Sequence, residues 1–193
     1  MVQGQPEPIR FNLNERKATV AAALLLHLDG GVMDYMRLVK LMYFAEREAF
    51  DKLGRPITGD LYYSLDDGPI LSTVLDLCKE RRGSRIWDES IDKVSRWAVG
   101  LRHGFDESLI GPLSDAEVDV LRTISERHKD DDQWRLSMIS HQQFGEYQDP
   151  HGSRLPIFPE EIMQAVGKSA EQIEELREEA RQDVNVESIF GVF

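Results

Sequence analysis

Cysteine is nearly absent from this sequence, since Cys78 is its only one. A single thiol cannot form an internal disulfide, and it excludes a metal site built on two or more cysteines. Long apolar runs are missing too, because no uninterrupted stretch approaches the ~20 residues that a membrane-spanning helix needs. The opening Met-Val-Gln-Gly-Gln-Pro-Glu lacks the basic and apolar regions of a secretory signal. We therefore expect a protein of the reducing cytoplasm that has no contact with a membrane.

The common catalytic and nucleotide-binding motifs are also missing: there is no Gly-x-Ser-x-Gly, no His-Glu-x-x-His and no Walker-type glycine loop. His103, His128, His141 and His151 are 25, 13 and 10 residues apart, so none of them makes an i, i+4 metal-binding pair. Ser137 precedes His141 by four residues, but a Ser–His pair without a placed acid or oxyanion donor is weak evidence for a hydrolase. The sequence thus predicts no catalytic residue, no metal ligand and no cofactor; a small hydrolase using His141 is the enzyme alternative.

Positive charge is scarce in the second half of the chain. The whole sequence has 35 acidic and 23 basic residues, a net charge of −12. Residues 1–105 carry 15 of each sign, whereas residues 106–193 carry 20 acidic and 8 basic residues, so the entire net charge lies in the back half. Phosphate binding needs a basic surface, which makes nucleic acid an unfavourable partner there. An acidic surface instead attracts a basic partner, or serves solubility alone.

A length of 193 residues suits one domain, with or without an appendage. The polar, proline-containing residues 1–10 predict a flexible arm, and residues 11–145 predict a helical domain. Residues 146–193 predict an acidic helix with an apolar tail that packs on this domain or extends from it. The expected fold class is mainly α (α+β): a compact helical domain with a small antiparallel β-sheet.

The stretch from Met33 to Lys79 organises the chain. Apolar residues recur at helical spacing from Asp34 to Phe50 over more than one side, which is typical of a helix packed on several sides. Asp34 is the predicted N-cap of this helix, and Gly54 its C-terminal stop.

A short strand is predicted from Asp60 to Leu65. Leu61, Tyr63 and Leu65 alternate as on its buried face, which would leave Tyr62 displayed. Gly68-Pro69 is predicted to break the strand, with Pro69 in the first turn of the next helix, where its missing N–H costs nothing.

Other predicted elements flank this stretch. A first helix is expected from an N-cap at Asn12 to about Leu28, with His27 as a partly buried packing residue. The capping box of Ser114 and Glu117 predicts a helix to about Lys129, and a further helix is expected over Gln133 to Gln143. Weak alternation in Arg85–Asp88 and Val94–Leu101 predicts two strands that pair with Leu61–Leu65.

Three connected segments resemble the Panacea domain of SocA-like antitoxins: Lys40-Leu-Met-Tyr-Phe-Ala-Glu, Gly54-Arg-Pro-Ile-Thr-Gly-Asp60, and Tyr63 with Gly68-Pro69. Weaker likeness continues from Leu113 to His141. The resemblance implies a phage- or prophage-associated antitoxin that neutralises a co-encoded toxin by direct binding and is not an enzyme. In the SocA-like branch the toxin is delivered to the ClpXP protease, so a ClpXP-type protease is a second implied partner. Asp67 stands where the family often has an aromatic residue, which would change partner specificity.

The expected toxin-binding surface is the strand and corner region, with aromatic anchors elsewhere and an acidic C-terminal region that wraps or steers a basic toxin. Its candidate residues are Tyr62, Asp66, Asp67, Gly68, Pro69, Trp134, His141, Phe190 and Phe193. We expect His141 to be a buried hydrogen-bonding residue that joins its helix to the Gly68-Pro69 corner. Self-association is a further expectation. Contact with DNA is the remaining alternative, through scattered cations of the front half: Arg16, Lys17, Arg37, Lys40 and Arg47.

Overall fold

The computed structural model describes residues 7–190, except for the side chains of residues 107, 109 and 183–190. Within that range the chain is mainly helical with small antiparallel sheets, which confirms the predicted fold class. The helices are α1 Glu15–Leu28, α2 Tyr35–Leu53, α3 Ser72–Cys78, α4 Arg85–Asp88, α5 Asp115–Arg127, α6 Gln133–Gln143, α7 Pro159–Ala165 and α8 Ala170–Phe190, with a 3-10 turn at Glu107–Ile110. The strands are β1 Val32–Asp34, β2 Tyr62–Leu65, β3 Gly68–Leu71, β4 Ile91–Lys93, β5 Ala98–Leu101 and β6 Leu155–Ile157.

Helix α2 is the centre of the fold, as its broad apolar surface predicts. It packs against α1, α3, α5, α6, α7 and strand β3. Asp34 caps it, because one carboxylate oxygen accepts the backbone N–H groups of Met36 (2.8 Å) and Arg37 (3.3 Å). Gly54 ends the helix in the left-handed conformation, with φ of 71°. Both predicted caps are therefore confirmed. No helix within residues 7–190 has the length and apolarity to cross a membrane.

The β-structure consists of two three-stranded antiparallel sheets, in the orders β1-β5-β4 and β3-β2-β6. The prediction that Arg85–Asp88 and Val94–Leu101 pair with Leu61–Leu65 is wrong. Arg85–Asp88 is the short helix α4, capped by Ser84, and β5 pairs instead with β1, the short strand that leads into α2. The strand β6 in the loop after α6 escaped the sequence analysis, because Pro156 interrupts it.

The Gly68-Pro69 corner also differs from its prediction. Leu65 pairs with Gly68 and Ser64 with Pro69, so β2 and β3 form a hairpin that turns at Asp66 and Asp67. Pro69 is therefore a strand residue and not the start of a helix. Helix α3 begins three residues later, where the Asp60 carboxylate accepts the N–H groups of Thr73 and Val74. That carboxylate supplies the cap, so no proline is needed at the first turn.

Two details of α1 are corrected. Its N-cap is Asn14, whose side chain accepts the N–H of Lys17, and not Asn12. His27 is exposed and stacks on Phe105, with 4.9 Å between ring centroids. The capping box at Ser114 and the start of α6 at Gln133 are confirmed.

The C-terminal region lies against the rest of the chain. Strand β6 pairs with β2, and Ile162 and Met163 of α7 are buried in the core. At the other end of the chain Ile9 is buried too, and its N–H is donated to Glu160 at 3.1 Å. The region breaks into two helices around Gly167, the weak point of its helical pattern, with φ of 83°. The division at residues 145 and 146 stays a prediction.

Gly68 is closely packed at the start of β3, and we predict that Gly68→Ala destabilises the protein by about 1–3 kcal/mol. Its φ is +98°, and an added Cβ would lie 2.6 Å from the Ser140 hydroxyl and 2.7 Å from the Lys40 amine. Urea denaturation measures the loss. Gly83→Ala is the matched control, because nothing lies within 4 Å of its Cβ position and its φ is ordinary. Equal stability of both variants would contradict the close packing at Gly68.

Candidate partner-binding surface

Buried polar side chains of α2 hold the loops around it. Glu46, 1% exposed, accepts the backbone N–H groups of Ile57 (2.8 Å) and Thr58 (2.9 Å), and it also accepts the Thr58 hydroxyl. Arg37 donates to the carbonyl oxygens of His128 (3.2 Å) and Asp131 (2.8 Å), at the junction of α5 and α6. These bonds satisfy loop backbone groups that would otherwise be buried without partners.

After Glu46 and Arg37, a third set of side-chain bonds from α2 fixes the segment that follows α6. We call these three sets of bonds the ties of α2. The Glu146 carboxylate accepts the Tyr43 hydroxyl at 3.2 Å and the Arg47 guanidinium at 2.9 Å. Burial raises the pKa of Glu146, and the neighbouring Arg47 opposes that shift. Tyr43 and Arg47, in the middle of α2, therefore hold the segment after α6 in place and do not line an open site.

The hairpin corner is held from two sides. The Lys40 amine, 1% exposed, donates to the Pro69 carbonyl at 3.2 Å, and the Ser137 hydroxyl donates to the Asp67 carbonyl at 2.7 Å. The prediction that a buried His141 makes this connection is wrong, because His141 is exposed and stacks on Tyr147, with ring centroids 4.4 Å apart. Helix α6 does bind the corner, but through Ser137, which precedes His141 by four residues.

Burial lowers the pKa of Lys40 from 10.5 to about 7, and the nearby Asp67 carboxylate partly opposes the shift. Desolvation has this effect because it penalises the charged ammonium. The Lys40 amine in turn contributes to lowering the pKa of His141, after the larger effect of burial. Lys40 thus places a titratable group directly beneath the exposed tip of the hairpin.

The outer side of α6 and this tip form one surface. Trp134 is 64% exposed, Met138 is 40% exposed, and His141 is exposed as well. Their spacing of four and three residues puts them on one stripe of the helix. The Ser137 bond brings Asp66 and Asp67, both exposed, beside that stripe. We call these five residues the α6 surface.

The rim of the α6 surface is acidic. Asp130 and Asp132 are exposed at the start of α6, and Asp149 is exposed near its end. Asp149 acts electrostatically on both His141 and Tyr147, which places it close to the stacked rings. An exposed tryptophan and methionine inside a polar rim are typical of a protein interface, because large apolar side chains at the centre supply most of its binding energy.

The other predicted site residues have different positions. Tyr62 is 2% exposed and packs edge-on against the rings of Tyr43 and Phe50, so its predicted display is wrong. The cause is that β2 turns Tyr62 and Ser64 inward and leaves Leu61 outside at 47% exposure. Gly68 and Pro69 are buried behind the hairpin tip. The side chain of Phe190 and the whole of Phe193 lie outside the described residues.

Sequence reasoning missed Met138 and Tyr147 as members or neighbours of the α6 surface. The signal for Met138 was present, because Trp134, Met138 and His141 recur at helical spacing on an element whose bounds were predicted correctly. Tyr147 gave no local signal. It lies in a loop, and only the hydrogen bond from its hydroxyl to the Leu65 carbonyl, at 3.3 Å, places it beside the hairpin.

The arrangement gives little support to the enzyme alternative. The Ser137 hydroxyl donates to a backbone carbonyl and not to His141. Cys78 is 1% exposed, and burial raises the pKa of its thiol to about 12, so the reactive thiolate is disfavoured. Among the described side chains, no three His, Cys, Asp or Glu residues are grouped so that they could hold a metal ion.

The cations proposed for DNA contact are mostly committed elsewhere. Arg37 and Lys40 are buried in the ties described above, and Arg47 pairs with Glu146. Lys17 pairs with Glu117 at 2.6 Å. Arg16 is the member of this set that is exposed.

Comparison with known proteins identifies the family. A family model described as antitoxin SocA-like, Panacea domain, matches residues 38–145, which is more than half of the chain. The chain belongs to the SocA-like antitoxin family. This Panacea domain runs from the fourth residue of α2 to the segment after α6, so it contains Lys40, Glu46, the hairpin and the α6 surface, whereas Arg37 and Glu146 lie one residue outside its two ends. No curated protein and no solved structure matched the chain.

Family membership supports an antitoxin role and implies a toxin partner in general. The segments that carry the resemblance of this Panacea domain contain residues that are buried and structural: Lys40, Glu46, Thr58, Asp60, Gly68 and Pro69. In this chain each of them has a structural role at a turn or a cap. Their burial also means that partner recognition must use the more exposed residues around them.

Lys40 should make stability depend on pH. Because its folded-state pKa of about 7 lies below 10.5, the unfolded chain binds this proton more tightly between those values. The free energy of unfolding should therefore rise with pH across this window, by up to about 1.4 kcal/mol per pH unit from this group. Lys40→Met should show a smaller rise when urea denaturation is compared at pH values near 7 and 9.

The control for this comparison is Lys52→Met, whose side chain is 51% exposed in the folded protein. It should keep the wild-type dependence, because its ammonium is already hydrated before unfolding. If Lys40→Met and Lys52→Met follow the same pH profile, the amine of Lys40 is not the titrating group.

Proposed function

We propose that this chain is a cytoplasmic antitoxin that neutralises a co-encoded toxin by binding it directly through the α6 surface, without catalysing a reaction or using a cofactor. The observation that carries the proposal is the position of Trp134 and Met138, exposed side by side within the family-matched region and next to the hairpin tip. Burying such side chains against a partner removes a large apolar area from water.

The charge of the surface favours a basic toxin. Asp66 and Asp67 adjoin the apolar stripe, and the rim adds further aspartates. Complementary charge at a rim raises the rate of encounter and penalises wrong partners more than it raises affinity. Asp67 occupies the tip where the family resemblance leads one to expect an aromatic residue, so this antitoxin would select a more basic contact there.

The acidic C-terminal region has a separate role in the proposal. Helix α8 exposes five glutamates within its described part: Glu171, Glu174, Glu175, Glu178 and Glu179. Their field would steer a basic toxin toward the protein, although contact itself is made at the α6 surface. Delivery of the toxin to a ClpXP-type protease is the alternative to simple occlusion, and nucleic acid is not a proposed partner.

Trp134→Ala should weaken binding of the co-encoded toxin at least about tenfold, a loss of about 1.4 kcal/mol or more. Affinity is measured by calorimetry with the purified product of the adjacent reading frame. Trp97→Ala is the matched control, because that side chain is 55% exposed but lies in the turn between β4 and β5, outside the α6 surface. A Trp134→Ala variant with wild-type affinity would reject the α6 surface, and failure of the wild-type protein to bind would reject the function itself.

Electrostatic steering by the glutamates of α8 predicts a change in the rate at which the toxin associates with the antitoxin. Replacing Glu174 and Glu178 of α8 together by Gln should lower the association rate constant for the toxin several-fold at low salt and leave the dissociation rate unchanged. Surface plasmon resonance at two salt concentrations measures both rates. Substitution is preferable to removing residues 160–193, because Ile162 and Met163 belong to the core. An unchanged association rate, or a change confined to dissociation, would contradict steering.

A further inference from the structure

A second exposed apolar cluster is formed by the turn between β4 and β5 and by the neighbouring strand β1. Val94, Trp97 and Val32 are 56%, 55% and 49% exposed. The two valines approach each other over Gly100, since each has a methyl carbon 2.9 Å from the position of a Cβ at that glycine. Because Gly100 has no side chain, a shallow depression remains between the two valines.

Cations surround this cluster. The Arg96 guanidinium lies 4.7 Å from the ring of Trp97, and Trp97 stacks on Tyr35 at 6.3 Å between centroids. On Tyr35 lies the amine of Lys79, 5.3 Å from its ring. Two stacked aromatic rings therefore each carry one cation. We call the following set the Trp97 surface: Val32, Lys79, Arg81, Val94, Arg96 and Trp97.

The positive charge of the Trp97 surface is only partly compensated. Among the described side chains, no carboxylate lies within ion-pair distance of Lys79 or Arg96. Arg81 reaches only Asp76, at 3.9 Å. Arg81 also helps to lower the pKa of Lys79, after the larger effect of burial, so the two cations repel each other, although Asp76 and Asp67 partly oppose this shift. An anionic partner would relieve this repulsion.

The chain itself carries a surface of opposite charge on α8. Glu171, Glu175 and Glu179 are exposed at intervals of four residues, so they form one row along the helix. None of the three has an ion-pair partner among the described side chains. Like charges at this spacing destabilise a helix, and cations placed along the row would remove that cost.

The two surfaces lie at opposite ends of α2. Tyr35, beneath Trp97, is the first residue of α2. Lys168, just before α8, contacts Asp51 near the other end, with 3.3 Å between the amine and the carboxylate. Sixteen residues of helix separate Tyr35 from Asp51, which is about 24 Å. At this separation the two surfaces do not meet within one chain.

We propose that the Trp97 surface of one chain binds the acidic row of α8 on a second copy, and that the reverse contact closes a symmetric dimer. Two identical contacts related by a twofold axis satisfy both surfaces of both chains and leave none open for further growth. The net charge of −12 makes a nucleic acid a poorer occupant, because the rest of the molecule would repel its phosphates.

Sedimentation velocity of the full chain tests the proposal. The wild-type protein should be a dimer whose dissociation constant increases with salt. Arg96→Glu and Glu175→Lys should each weaken self-association by at least about tenfold. Arg85→Glu is the matched control, since Arg85 is an exposed arginine of α4 outside the Trp97 surface, and it should leave the dimer intact.

Mixing the two variants gives the sharpest result. Each is expected to be monomeric alone, yet a mixture of Arg96→Glu with Glu175→Lys chains should form a heterodimer. One of its contacts is then wild-type, and the other has both charges reversed. Circular dichroism of each variant establishes that it is folded.

Three outcomes would overturn the proposal. The first is a wild-type chain that stays monomeric at low salt, and the second is a mixture of the two variants that does not associate. The third is a monomer that binds a fluorescent single-stranded oligonucleotide and loses this binding in Arg96→Glu, which would assign the Trp97 surface to nucleic acid instead.

Discussion

The structure depends on one constraint, which is that α2 buries charged side chains as well as apolar ones. A buried charge is costly unless it is paired or hydrogen-bonded, so Glu46, Arg37 and Lys40 must each find partners in the surrounding loops. They find them in the turn at Ile57 and Thr58, in the junction of α5 and α6, and in the hairpin corner. The same bonds that satisfy α2 therefore set where the loops lie.

This arrangement connects the core to the surface that we propose for toxin binding. Lys40 holds the corner from beneath, Ser137 holds it from α6, and Asp66 and Asp67 are consequently displayed beside Trp134. The α6 surface is thus supported by a rigid helix and by a hairpin that is fixed at two carbonyl groups. A preorganised surface loses less conformational entropy on binding than a loop would, which suits recognition by direct contact.

Two exposed tryptophans divide the functions that we propose. Trp134 lies in an acidic setting and Trp97 in a basic one, and the two belong to different parts of the fold. A chain of net charge −12 keeps its partly compensated cations of the Trp97 surface together at one end. The two surfaces are neighbours as well, because Asp67 of the α6 surface is close enough to Lys79 of the Trp97 surface to oppose the lowering of its pKa by burial.

The sequence by itself determined the features that depend on neighbours along the chain. Asp34, Gly54 and the Ser114 box act on backbone groups within four residues, so the bounds of α2 and the start of α5 followed from them. Three connected segments also sufficed to identify the family. The inward turn of Tyr62, the hairpin at Gly68 and the exposure of His141 were decided by tertiary structure. Each depends on contacts that the spacing of residue types does not reveal. Tyr62 packs on the rings of Tyr43 and Phe50, Gly68 lies against the amine of Lys40, and His141 stacks on Tyr147.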